Sequence, residues 1–173
     1  MKKAIFATTM LLLWSSIALA QDPHERWVNP YNGPLTRDDM AYGIVYGLDG
    51  FIYATGYTHD AEGYFVFTVT KFELSGVIIW TYKYEEGKSA DELQLPKGNA
   101  IIYGSDNYIY AAGTSMGTCL DFTVVKLDRL TGQLVWSQPF KYNGSGNSDD
   151  EASSIVYGAD NYLYVAGYIT TSD

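Results

Sequence analysis

The sequence contains one cysteine, two histidines and only 11 basic residues in 173. A single thiol, Cys119, closes no internal disulfide and rules out a metal site built on several thiolates. His24 and His59 leave too little imidazole for a histidine-rich zinc site, and neither accompanies a nucleophile motif. The lysines and arginines are scattered singly against 20 acidic residues, so no basic patch exists to follow a phosphate backbone or an anionic lipid surface. Nucleic-acid binding is therefore not expected. The one long apolar run, Ala4 to Leu13, is too short to cross a bilayer.

That run has its own meaning. Lys2 and Lys3 precede it and Ala18-Leu19-Ala20 closes it, the pattern of a secretory signal peptide over residues 1–20 with cleavage before Gln21. Its loss removes two lysines and no acid, taking the formal charge from −9 to −11. The expected location is extracellular or at the cell surface, with the periplasm as the alternative, and no membrane insertion follows cleavage.

Aromatics and glycine are abundant instead. Sixteen tyrosines and 17 glycines in a chain with few charges point to many short strands separated by tight turns. Self-comparison then finds the organising signal. Ile44-Val45-Tyr46-Gly47-Leu48-Asp49-Gly50-Phe51-Ile52-Tyr53-Ala54-Thr55-Gly56 returns from Ile101 to Gly113 and again from Ile155 to Gly167. Between these copies, Phe67-Thr68-Val69-Thr70-Lys71-Phe72 matches Phe122-Thr123-Val124-Val125-Lys126-Leu127, and Trp80 matches Trp136. Acidic steps precede each first block at Asp38-Asp39, Asp91-Glu92 and Asp149-Asp150-Glu151.

Each repeat holds four strand-like runs, in the second copy near residues 100–103, 108–113, 122–128 and 133–140. Asp49-Gly50, Asp106-Asn107 and Asp160-Asn161 suit two-residue hairpin turns that need φ > 0. Ser75-Gly76 and Thr131-Gly132 read as turns of the same kind. The prediction is an all-β fold of four-stranded antiparallel β-propeller blades. Residues 25–31 give the last strand of a closing blade, 41–84 and 98–142 give two blades, and 152–173 the first half of another. Three blades form an incomplete ring, since closed propellers use about four to eight. The chain therefore reads as a fragment of a longer propeller, with an oligomer that shares blades as the alternative.

The run Asp121-Phe122-Thr123-Val124-Val125-Lys126-Leu127-Asp128, with Gly132, Trp136 and Asn143 to Ala152, resembles the secreted bacterial beta-propeller repeat family. The resemblance extends over nearly all of residues 25–173. It implies propeller blades in an exported or surface protein and says little about activity. Over a shorter stretch, Val125-Lys126-Leu127-Asp128 and Thr131-Gly132-Gln133-Leu134-Val135-Trp136 are similar to the repeat of pyrroloquinoline-quinone dehydrogenases, which a noncatalytic outer-membrane assembly lipoprotein also uses. The vicinal cysteine pair seen in many of those enzymes is impossible with one cysteine.

Candidate sites are few. Asp149, Asp150 and Glu151, in the oxygen-rich segment from Asn143, are the candidates for a hard cation such as calcium, but the spacing is not that of an EF-hand loop. Carboxylates capping turn amides are the favoured reading. Trp27, Trp80 and Trp136 stand once per repeat, as do Tyr46, Tyr103 and Tyr157, which assigns them to packing rather than to sugar stacking. Gly56, Gly113 and Gly167 end the second strands and would let backbones crowd near a central channel. His59 reads as a solvated loop residue and Cys119 as a small filler. With no catalytic constellation, the expected function is a noncatalytic secreted or surface scaffold that binds a protein or glycan and needs no cofactor. The alternatives are a quinone- or glycan-active propeller enzyme, or a carbohydrate-binding propeller assembled as an oligomer.

Overall fold

The computed structural model describes residues 31, 33–35 and 37–172. The signal segment, Trp27 and nearly all of the 25–31 strand lie outside these residues. The described chain is all-β, with one 3₁₀ turn at Glu85–Gly87 and no α-helix. Ten strands form three antiparallel sheets. The first is β1 (Met40–Tyr46), β2 (Ile52–His59), β3 (Phe65–Phe72) and β4 (Ile78–Lys83), in sequence order. The second repeats it with β5 (Lys97–Tyr103), β6 (Tyr108–Met116), β7 (Leu120–Asp128) and β8 (Phe140–Tyr142). The third has two strands, β9 (Glu151–Tyr157) and β10 (Leu163–Tyr168).

The sheets stack face to face in chain order, β5 lying against β1 and β2, and β9 against β5 and β6. That arrangement explains why the middle strands are apolar on both sides: β3 is buried at every position. Between the first two sheets, Tyr53, Phe67 and Val69 meet Ile101, Ile109, Ala111, Val125 and Leu127. Between the second and third, Tyr110, Ala112 and Val124 meet Ala152 and Ile155, with Leu163 and Val165 packed alongside. The two layers use the same repeat positions, so one packing solution is applied twice.

The turns differ from the expected two-residue hairpins. Tyr46 pairs with Ile52, the Gly47 amide donates to the Phe51 carbonyl, and the Gly50 amide to the Gly47 carbonyl. Only the fourth residue takes positive φ, at Gly50 (83°), Asn107 (66°) and Asn161 (66°). This is a type I turn closed by one left-handed residue, a longer loop than the primed turns require. The same bonding recurs at Asp60–Tyr64 and Glu73–Val77, with Gly63 and Gly76 in the left-handed place.

The fourth strand of the second repeat is also not the predicted 133–140 run. Leu134 makes one bridge to Leu127, the chain then bends, and pairing resumes only at Phe140. Trp80 and Tyr82 are two positions apart in β4, whereas Trp136 and Phe140 are four apart. The surplus residues Ser137 and Gln138 loop out beside Pro139, which has no N–H to give the ladder.

Gly56, Gly113 and Gly167 are small for a reason within each sheet. Each first strand carries a β-bulge opposite them, at Ala41/Gly43, Gly98/Ala100 and across from Ala166/Gly167. A Cβ on these glycines would run into the carbonyl oxygens of Met40, Lys97 and Glu151.

Candidate functional site

One polar group recurs in every sheet, built from the first turn and the strand after it. The Asp49 Oδ2 accepts the Tyr53 hydroxyl (2.7 Å) and the Lys71 ammonium (3.3 Å). In the second sheet, Asp106 Oδ2 accepts Tyr110 (2.6 Å) and Lys126 (3.0 Å). In the third, Asp160 Oδ2 accepts Tyr164 (2.6 Å), and among the described residues no lysine pairs with it. Each lysine also lies over an aromatic ring, Lys71 on Phe51 at 3.9 Å and Lys126 on Tyr108 at 4.1 Å. Lys71 and the Trp80 indole N–H further donate to the Arg129 carbonyl, at 2.8 and 3.2 Å, which ties the first sheet to a turn of the second.

These groups set the titration behaviour of the fold. Burial pushes the Asp106 carboxyl up, but hydrogen bonds from Tyr110 and Lys126 outweigh it and hold the group below the usual range. Asp60 behaves alike: burial is overcome by Lys88 and by the Tyr64 amide. Asp128 is lowered chiefly by the Thr131 amide. Burial and then the hydrogen bond to Asp106 push the Tyr110 phenol up to about 12, and burial raises Tyr53 and Tyr82 as well. For the carboxylates, stability is fully present above their unfolded value near ~3.9 and disappears as pH falls through the lower folded value. For the phenols it is present below about 10 and disappears as pH rises through the folded value. Urea midpoints measured across pH are therefore expected to be flat from about pH 5 to about pH 9 and to fall on both sides. A midpoint already declining between pH 6 and pH 8 would show that other groups govern stability.

The acidic steps are protein-capping devices. The fully buried Asp150 accepts the Gly144 amide (2.7 Å) and the Thr170 amide (2.6 Å). Asp149 accepts the Leu120 amide, and Glu151 accepts Asn99 Nδ2 and faces Lys97. Both Asp150 oxygens and one oxygen each of Asp149 and Glu151 thus accept donors of the chain, and the described residues contain no group of three metal-ligating side chains. Asp39 repeats the role of Asp150, accepting Gly33, Thr58 and His59. Asp91-Glu92 does not: Asp91 caps the Leu93 amide in a longer loop, and Pro96 stands where Asp39 and Asp150 precede their strands. Replacing Asp150 with alanine leaves two amides without their acceptor and is expected to cost about 2–3 kcal/mol in urea denaturation.

His59 is not a solvated loop residue. It is the last residue of β2, only 4% exposed, with its ring against Tyr57 and Phe65 and its Nδ1 without a partner among the described residues. Aromatic neighbours across the β2–β3 hairpin, rather than its acidic neighbours in sequence, set its environment. Cys119 lies in the turn before β7, half-buried, its thiol against the Asn147 carbonyl. Trp80 and Trp136 each tilt against the tyrosine of their own sheet, Tyr53 at 5.8 Å and Tyr110 at 6.1 Å. Tyr103 and Tyr157 complete those clusters from the following sheet, at 6.2 and 5.7 Å. Tyr46, which has no preceding sheet among the described residues, is 64% exposed.

Among the described residues, two surfaces therefore stay uncovered. The outer face of the first sheet shows Ile44 and Tyr46, the equivalents of Ile101 and Tyr103 that are packed against in the second. At the other end, β10 has an edge with no partner strand among the described residues, beside an open apolar cleft of about 520 Å³, floored by Phe122, Val124, Trp136, Leu163 and Val165. No protein-family model matches the chain, and no curated protein matches it in sequence.

Proposed function

We propose that this chain is a run of β-propeller blades serving as a noncatalytic binding scaffold outside the cytoplasm. The observation that carries the reading is the repeated stacking step. Tyr53 and Trp80 receive Tyr103 in the same way that Tyr110 and Trp136 receive Tyr157, so each blade is related to the next by one head-to-tail operation. A repeated heterologous step makes a ring when its rotation closes. The outer faces fit that reading, since the first displays what a blade receives and the last displays what a blade offers. The secretory pattern of residues 1–20 and the resemblance to secreted bacterial propeller repeats supply the location. A protein or glycan partner would bind the loops gathered on one face of the ring.

Native mass spectrometry of the product from its own cells tests this. The reading expects either a polypeptide heavier than residues 21–173 or a discrete closed oligomer of that chain. A stable monomer of that mass would remove the ring and with it the scaffold.

A further inference from the structure

We infer that Asn143 is a latent modification site, an asparagine set to deamidate through the Gly144 amide and held back in the folded chain by Asp150. The chain has two Asn-Gly steps, Asn32-Gly33 and Asn143-Gly144. In both, the glycine amide donates to the Oδ2 of an aspartate six residues on, Asp39 or Asp150, at 2.7 Å. The two aspartates immediately precede β1 and β9, so the pairing belongs to the repeat. Glycine is the residue type that matters here. Without a Cβ, its nitrogen is the least hindered nucleophile for the side chain before it.

The reaction needs water and nothing else. The Gly144 nitrogen gives up its proton and attacks Cγ of Asn143. A succinimide closes as the Cγ–Nδ2 bond breaks, and ammonia leaves with that proton. Water then opens the ring at either carbonyl, giving aspartate or, with the main chain rerouted through the side chain, isoaspartate. Three features oppose the first step. The fully buried Asp150 sets a carboxylate against the nitrogen, and a negative charge there disfavours the amide anion that must attack. The Gly144 backbone is also fixed, packed so closely on the Thr170 carbonyl that a Cβ would not fit, with its own carbonyl accepting the Asn147 amide at 3.1 Å. Ring closure needs that peptide plane to turn until nitrogen and Cγ are about 3 Å apart. Lastly, Asn143 Nδ2 donates to Asn147 Oδ1 at 3.2 Å, which ties the carboxamide to the turn. Asn143 itself is exposed, so local opening of the Asp150 cap is what separates it from reaction. The product adds a carboxylate beside Asp149 and Asp150, and a transient opening of this loop becomes a permanent change.

The inference uses this loop alone and holds whether or not the blades close a ring. The test incubates the full chain, its Asp150→Asn variant and its Lys71→Met variant in mildly alkaline buffer. Mass spectrometry follows deamidation, with fragmentation to place it among Asn143, Asn147 and Asn161. Asn143 is expected to react about tenfold faster or more in Asp150→Asn than in the parent, since a hydrogen bond to a charged group is worth at least about that factor. Lys71→Met, with a comparable expected loss of stability in another sheet, should match the parent. Asp39→Asn, read at Asn32, repeats the comparison in the first sheet and decides the matter should Asp150→Asn not fold. An unchanged rate in either folded aspartate variant overturns the inference. A slower rate overturns it too, because the carboxylate would then be the base that takes the amide proton. So does a Lys71→Met chain that reacts as fast as Asp150→Asn, since global unfolding would then be the cause.

Discussion

Replacing Gly113 with valine is expected to cost about 3 kcal/mol and to lower Tm by ~10 °C. The residue lies in β6 between Gly98 on one side and Thr123 on the other, both paired to it. The bulge in β5 turns the Lys97 carbonyl into the space where a side chain would begin, and the Gly98 Cα stands behind it. Backbone atoms in a three-sheet stack have no free direction of retreat, so even the first carbon separates the two strands. The φ of Gly113 is not positive, which isolates the effect as one of space. Gly50 provides the opposite case. Its surroundings are open, the nearest foreign atom being the Tyr46 hydroxyl at 3.9 Å, but its φ is +83°. Alanine there should cost only ~1 kcal/mol, and asparagine less, since Asn107 and Asn161 hold the same conformation in the other copies. Thermal melts of these variants separate the two causes. A Gly113→Val protein melting within ~2 °C of the parent would show that the close approach at the bulge is absent.

The recurrence of residue types made most of this architecture legible. Three copies of one thirteen-residue block located β1–β2, β5–β6 and β9–β10, because aromatic and β-branched strands between left-handed turn residues have few other ways to fold. What stayed hidden depended on geometry that residue type does not encode. Asp-Gly and Asp-Asn suit several hairpins, and only the hydrogen bond from Gly47 to Phe51 distinguishes the longer loop from a two-residue turn. The displaced β8 had a visible cause in Pro139, but the apolar run from Leu134 to Trp136 masked it. Charge alone relates Asp91-Glu92 to the other acidic pairs, although the loop from β4 to β5 is longer and ends in Pro96. Asp60 and Glu62 beside His59 suggest a polar loop, while the period-two pattern of β2 places it with Tyr57 and Phe65. The recurring Asp–Tyr–Lys group was available in the sequence as Asp49, Tyr53 and Lys71 and again as Asp106, Tyr110 and Lys126. It goes unnoticed while strands are read one at a time, because the lysine joins the group only across the second hairpin.

Lys71→Met is expected to be among the most damaging polar substitutions, at about 3 kcal/mol, with the effect decreasing along the chain at equivalent sites. Lys71 is 3% exposed and its partner Asp49 is 10% exposed. Methionine preserves the contact with Phe51 but leaves Asp49 with the Tyr53 hydroxyl and an arginine nitrogen at 3.8 Å, and it takes one donor from the Arg129 carbonyl. A buried carboxylate that loses its nearer cation and keeps only the more distant arginine is the costly state. The double variant Asp49→Asn, Lys71→Met should therefore recover part of the loss, because the poorly compensated charge goes with its partner. Lys126→Met, at a pair 17% and 26% exposed, should cost only about 1 kcal/mol, since water already solvates that carboxylate. Asp160→Asn should leave the urea midpoint where it was, because the exposed Asp160 has no cation to lose. Urea denaturation of the four proteins ranks them directly. Equal losses for Lys71→Met and Lys126→Met would mean that the group acts through hydrogen-bond geometry alone. A double variant as unstable as Lys71→Met would mean that the missing contact to Arg129, rather than the stranded charge, carries the cost.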